Sequence, residues 1–150
     1  MKSTCSSSCN SAKSQSSKRC APRFAFARNE AGNVPFEKFA ASLPAPAHRR
    51  ALARRLDTFI EHGHSGNAHA CWVGADRSIY EIRIYNRPGV RAYFSTLNGI
   101  RVFLTGGTKN TQRNDLSVAR RLLSRLEAGA DALLPQEDSE ELLEKIRAAA

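Results

Sequence analysis

The stretch GGTKNTQRNDLSVARRLL, Gly106 to Leu123, follows EIRIYNRPGVRAYF (Glu81 to Phe94) and GIRVFL (Gly99 to Leu104). In Ser78–Tyr85, Tyr80, Ile82 and Ile84 alternate with Glu81, Arg83 and Tyr85, the period-two signature of a strand. Asn86–Gly89 reads as a turn. Val90, Ala92 and Phe94 then alternate with Arg91, Tyr93 and Ser95. Asn98-Gly99 is a strong hairpin signal, after which Ile100, Val102 and Leu104 alternate with Arg101, Phe103 and Thr105. Gly106-Gly107 ends the strands. A helix is expected from about Asp115 to Ala128, with Leu116, Ala119, Leu122, Leu123 and Leu126 on one stripe. Asp115 is suited to its N-cap and Gly129 to the position just past its end. Arg113, Arg120, Arg121 and Arg125 line its polar side, where they can extend a footprint for an anionic ligand.

Working outward, PFEKFAASL (Pro35–Leu43) places Phe36, Phe39 and Leu43 on one helical face, and Pro35 suits a first helical position. Pro44 and Pro46 break that helix and open a second, about Ala47–His62. Its stripe is Leu52, Leu56, Phe59 and Ile60, and Arg49, Arg50, Arg54 and Arg55 fall mainly off it. His62–Cys71 is Gly/Asn-rich and reads as a loop. Its His62, His64, His69 and Cys71 match a metal set in composition only, because nothing fixes ligand geometry. CWVG is a candidate short strand. The expected fold is α+β: an N-terminal helical hairpin packed on a small twisted antiparallel sheet of three or four strands, with a C-terminal helix.

Three segments follow from composition. Residues 1–33 are read as a disordered basic tail. The Ser-rich first part lacks the large apolar residues needed to offset the entropy cost of folding, and Cys5, Cys9 and Cys20 fit no compact zinc spacing. Residues 34–128 form the domain. Residues 129–150 are a linker and an acidic amphipathic helix, with Asp138 and Glu141 placed like a capping box and Leu142, Leu143 and Ile146 as its apolar side. The expected role of this helix is to dock on the body. A sharper alternative is that it reaches over the basic face as an acidic mimic of a partner.

The chain has 150 residues and a formal charge of +9 at pH 7. The first 33 residues carry a net +5, residues 34–127 a net +8 and residues 128–150 a net −4. A basic body argues for a polyanionic partner. No apolar run approaches the roughly 20 residues that span a bilayer, and the N-terminus lacks the apolar core of a secretory signal. Cytoplasmic location, reduced thiols, no membrane association, no metal and no small-molecule cofactor are therefore the expectations.

If the apolar sets of the strands share a side, Arg83, Arg91 and Arg101 project from the other, with Tyr85 and Tyr93 among them. Guanidiniums interleaved with phenols suit phosphates and bases. The same pattern also fits an ordinary solvated face with cross-strand Arg/Tyr packing.

These motifs together resemble the addiction-module killer branch (HigB/RelE-like) of the RelE/ParE toxin superfamily. The matching residues are Glu81, Ile82, Arg83 and Ile84; Pro88, Gly89, Arg91, Tyr93 and Phe94; and Gly106, Gly107, Lys109, Thr111, Gln112, Asp115 and Ala119. The resemblance covers about residues 34–127 and is most specific in its C-terminal half. It implies the toxin of a type II toxin–antitoxin module, acting as a ribosome-dependent mRNA endonuclease that blocks translation. Its partners would be mRNA, the ribosome and a cognate helix-turn-helix antitoxin. It also implies roles: Arg91 at the scissile phosphate, Arg83 in support and Lys109 stabilising charge or helping proton transfer. Tyr85, Tyr93, Arg101, Gln112 and Arg113 are the candidates for RNA binding.

The RNA 2′-OH would be the nucleophile, so the cut needs no metal. This chain departs from the family at Thr108, where an acidic residue is frequent, and at Val90, where an aromatic is frequent. No tyrosine follows Phe103, where some ribosome-dependent relatives have a C-terminal one, which leaves the general base open between Tyr85 and Tyr93. A ParE-like gyrase inhibitor without catalysis, and an inactive nucleic-acid- or antitoxin-binding relic, are the alternatives.

Overall fold

The computed structural model describes residues 23–62, 70–73, 76–85 and 89–150. The elements run β1 (Arg23–Phe26), α1 (Pro35–Ala41), α2 (Pro46–His62), β2 (Ala70–Val73), β3 (Asp76–Tyr85), β4 (Val90–Leu97) and β5 (Ile100–Gly107). A 3-10 turn (Lys109–Thr111), α3 (Gln112–Glu127) and α4 (Gln136–Ala148) complete the chain. The class is α+β, with one five-stranded sheet in the order β1-β5-β4-β3-β2.

The sheet is mixed rather than antiparallel, because β1 runs parallel to β5. Residues 23–33 therefore belong to the body, not to a tail. The physical reason lies in RFAF: Phe24 and Phe26 are both buried on one face. The Phe26 ring lies 5.3 Å from the rings of Phe36 and of Phe103. Two phenylalanines two residues apart fill an aromatic core that a disordered segment would leave empty. The part of the expected tail before Arg23 lies outside the described residues, with its Cys5, Cys9 and Cys20. So do His64 and His69.

Both faces of the sheet are covered. On one, α1 and α2 pack over Phe94, Phe103, Tyr80 and Ile82. On the other, α3 lays Ala119, Leu122, Leu123 and Leu126 over Tyr93, Val102 and Leu104. The Asn98-Gly99 turn has φ of 52° and 78°, the paired left-handed conformation of a two-residue hairpin. It sets Leu97 across from Ile100 and Thr96 across from Arg101. Further along, Tyr93 pairs with Thr105 but Phe94 with Phe103, so β5 carries one extra residue, Leu104. This bulge lets Leu104 and Thr105 both serve the α3 side.

The C-terminal segment is integrated into the body. Leu134 N–H donates to Phe26 O at 2.8 Å and Arg28 N–H to Ala132 O at 2.8 Å, so residues 132–134 cover the outer edge of β1. Ser139 is fully buried and accepts from Phe26 N–H at 3.3 Å. Leu142, Leu143 and Ile146 enter the α1–α2 core. Ion pairs Lys145–Glu37 (3.1 Å) and Arg147–Asp57 (2.6 Å) flank them. The acidic helix thus docks against α2 and β1 and does not extend over the α3 side of the sheet. Its expected capping box is absent: the helix starts at Gln136 after Pro135, with no side-chain cap. Ser139 N–H instead donates to Pro135 O.

Candidate functional site

The α3 side of β3 and β4 gathers a polar cluster around one carboxylate. Glu81 sits on β3 opposite Tyr93, and Arg83 opposite Arg91. Alternation sends all four to the α3 side. Glu81 is 4% exposed. Its Oε2 accepts from Arg83 Nε at 2.8 Å and from Arg91 Nη1 at 2.9 Å, and its Oε1 accepts from Gln112 Nε2 at 2.8 Å. A buried carboxylate is tolerated only when paired and hydrogen-bonded, and here three donors meet that need. Gln112 opens α3, so one carboxylate ties two strands to the start of the helix.

The two glycines make this approach possible. A Cβ on Gly106 would lie 2.5 Å from the Phe39 ring, and one on Gly107 would lie 1.9 Å from Asp115 Oδ2 and 2.6 Å from Thr111 Oγ1. Gly-Gly therefore marks close packing on both faces of the strand end. Asp115 is not an N-cap, because α3 begins three residues earlier. It is buried within the first turn and accepts from Thr111 Oγ1 at 2.6 Å. Burial pushes its carboxyl above the usual value, partly opposed by Thr111. Thr108 and Thr111 bond reciprocally as a capping box for the 3-10 turn that presents Lys109, which is exposed.

The two arginines differ in exposure. Arg91 is the inner one, its side chain 12% exposed, with Nε buried and unpartnered. Arg83 is the outer one, 57% exposed and oriented by Glu81. Tyr93 is fully buried, which rules out stacking on a base in this conformation. Its pKa is pushed up to about 12, first by burial and then by the Glu81 charge, with Gln112, Asp115 and Arg91 as smaller influences. Gln112 is committed to Glu81, and the phenol finds no well-formed hydrogen bond. Tyr93 is a core residue whose phenol keeps its proton at neutral pH.

Arg101 is not in the cluster. The hairpin puts it across from Thr96, on the face of Phe94, where its guanidinium lies 5.6 Å from the centre of the Phe59 ring. That is a cation–π contact on the far side of the sheet. Arg113 is exposed on α3 near the cluster. Tyr85 ends β3, paired with Val90, and its side chain lies outside the described residues. Glu81 is the member that sequence reasoning left out of the site. Its signal was an acidic residue alternating into a face otherwise basic.

A cleft of about 810 Å³ lies elsewhere, between α1 and α4, lined by Lys38, Glu141 and Leu142 among others; Arg83, Arg91 and Lys109 do not line it. Among the described residues no three His, Cys, Asp or Glu side chains gather as metal ligands, and no helix is long and apolar enough to cross a membrane. Comparison of the chain with family models, with curated proteins and with solved structures returns no match.

Proposed function

We propose that the chain is the toxin of a toxin–antitoxin pair, with the RelE-like fold that its motifs resemble, and that it cuts mRNA on the ribosome. The observation that carries this reading is the Glu81 carboxylate, which fixes Arg83 and Arg91 beside the loop bearing Lys109. Cleavage of RNA needs positioning, charge neutralisation and proton transfer. The 2′-OH gives up its proton to water as its oxygen attacks the adjacent phosphorus and forms a cyclic phosphate. The bond to the 5′-oxygen breaks, and that oxygen takes a proton from water to leave as a 5′-hydroxyl.

In this reading Arg83 contacts the scissile phosphate, since it is both exposed and pre-oriented, and a guanidinium fork matches phosphate geometry. Arg91 is a positioning residue, held on Glu81 and setting the local potential. Lys109 neutralises charge on the leaving side. Tyr93 holds its proton and takes none from the 2′-OH. A helix-turn-helix antitoxin, as in the resembling family, would neutralise the basic face.

A second reading, a binding protein without catalysis, is favoured by one observation: Arg91 is largely buried and already paired. Such a protein includes a ParE-like gyrase inhibitor or an inactive relic. Mapping new RNA 5′ ends in a bacterial cell-free translation reaction separates the two readings.

A further inference from the structure

We infer that the outward ridge of α3 is a track for one strand of RNA running away from the Glu81 cluster; this rests on the RNA-directed reading above. Asp115, Ala119, Leu122, Leu123 and Leu126 are the buried side of α3. At about 100° per residue, Arg113, Ser117, Arg120 and Ser124 fall on the opposite stripe, with Arg121 beside it. All five are exposed. The stripe begins one turn after Lys109, and Arg113 and Arg120 are about 10.5 Å apart along the axis.

Local helix stability does not account for this pattern. Arg113 sits in the first turn, where the helix dipole disfavours a cation. Arg121 and Arg125 are a like-charge pair at i, i+4, which is also unfavourable. The only carboxylates in α3 are Asp115, turned to the sheet, and Glu127, its last residue. The C-terminal helix differs. α4 has Glu137 and Asp138 in its first turn and Lys145 and Arg147 in its last, as the dipole prefers. α2 also opens without an acidic residue and carries Arg49 in its first turn, but Asp57 and Glu61 follow its four arginines, and Asp57 pairs with Arg147. A ridge of one sign, kept against local preference, suits a polyanion. Its arginines fit phosphates, and the two serines between them offer hydroxyls to phosphate or 2′-OH groups. One stripe of cations follows one backbone.

The test is the salt dependence of binding to a fluorescein-labelled, 2′-O-methylated oligouridylate of about 20 nucleotides, followed by anisotropy. Each phosphate contact on a single strand contributes about 0.7 to the slope of log K against log salt. The variant R113Q/R120Q/R121Q is expected to lower the slope by about 2. R50Q/R54Q/R55Q removes the same charge from the opposite side of the sheet and is expected to leave the slope within about 0.5. Equal losses in both triple variants, an unchanged slope in the first, or equally effective competition by polyglutamate of the same charge would overturn the track. Cleavage is scored separately with unmethylated message. A ridge-dependent slope without cleavage keeps the track and sinks the nuclease; cleavage with an unchanged slope does the reverse.

Discussion

Glu81 Oε2 accepts from Arg91 Nη1 at 2.9 Å with both side chains withdrawn from solvent, 5% and 12% exposed. The pair is a strut between β3 and β4, and the same oxygen accepts from Arg83. Removing one partner of a buried pair leaves the other charge uncompensated, typically at about 3 kcal/mol or more. Glu81→Ala is therefore expected to lower the unfolding free energy by about 3 kcal/mol in urea melts. A loss below about 0.5 kcal/mol would show that solvent replaces the carboxylate without cost.

Gly107→Ala places a methyl against Asp115 Oδ2 and Thr111 Oγ1. Overpacking of this kind costs about 1–3 kcal/mol. Thermal unfolding should show the loss, and Gly107→Ala with Asp115→Ala should recover part of it. Equal melting for wild type and Gly107→Ala would mean that the strand end relaxes freely.

Tyr93 gives a pH dependence with a defined sign. Its pKa rises from 10.0 to about 12 on folding. Below pH 10 both states hold the proton and the group adds no slope. Between about pH 10 and 12 the unfolded chain releases the proton while the folded one keeps it, so stability falls as pH rises. The fall is about 1.4 kcal/mol per unit at most. Tyr80, also raised by burial, acts in the same direction. Denaturant titrations at pH 9 and 11 should show the decline, with a shallower one in Tyr93→Phe. An identical decline in Tyr93→Phe would assign it elsewhere.

Ile146→Ala tests whether the C-terminal helix belongs to the domain. Ile146 is buried against the α1–α2 core, and truncating a buried isoleucine costs about 2–5 kcal/mol. That loss is expected in urea melts of the full chain. A loss under about 0.5 kcal/mol would make α4 a detachable appendage.

Much of this was legible from residues alone. Alternation fixed which residues of β3 and β4 face α3, and Pro35 and Gly129 marked a helix start and a helix end. Arg101 lies on the opposite face from the one its alternation predicts, although the turn carries the signal. A two-residue turn at Asn98-Gly99 pairs Leu97 with Ile100, and counting on puts Arg101 opposite Thr96, on the face of Phe94. The apolar alternation of Ile100, Val102 and Leu104 was misleading because both faces of the sheet are covered, so hydrophobicity does not name the side. β1 was hidden by the Ser-rich sequence before it. The difference in exposure between Arg83 and Arg91 was not legible, because it depends on how the start of α3 settles onto Glu81.

The most direct measurement adds purified protein to a bacterial cell-free translation reaction and maps new RNA 5′ ends, with Arg83→Ala and Arg101→Ala in parallel. The expected result is cuts within translated message, reduced about 100-fold or more by Arg83→Ala and within about threefold of wild type in Arg101→Ala, whose guanidinium lies on the far face. Intact message at full translation would contradict the nuclease, and equal cutting by wild type and Arg83→Ala would contradict the site.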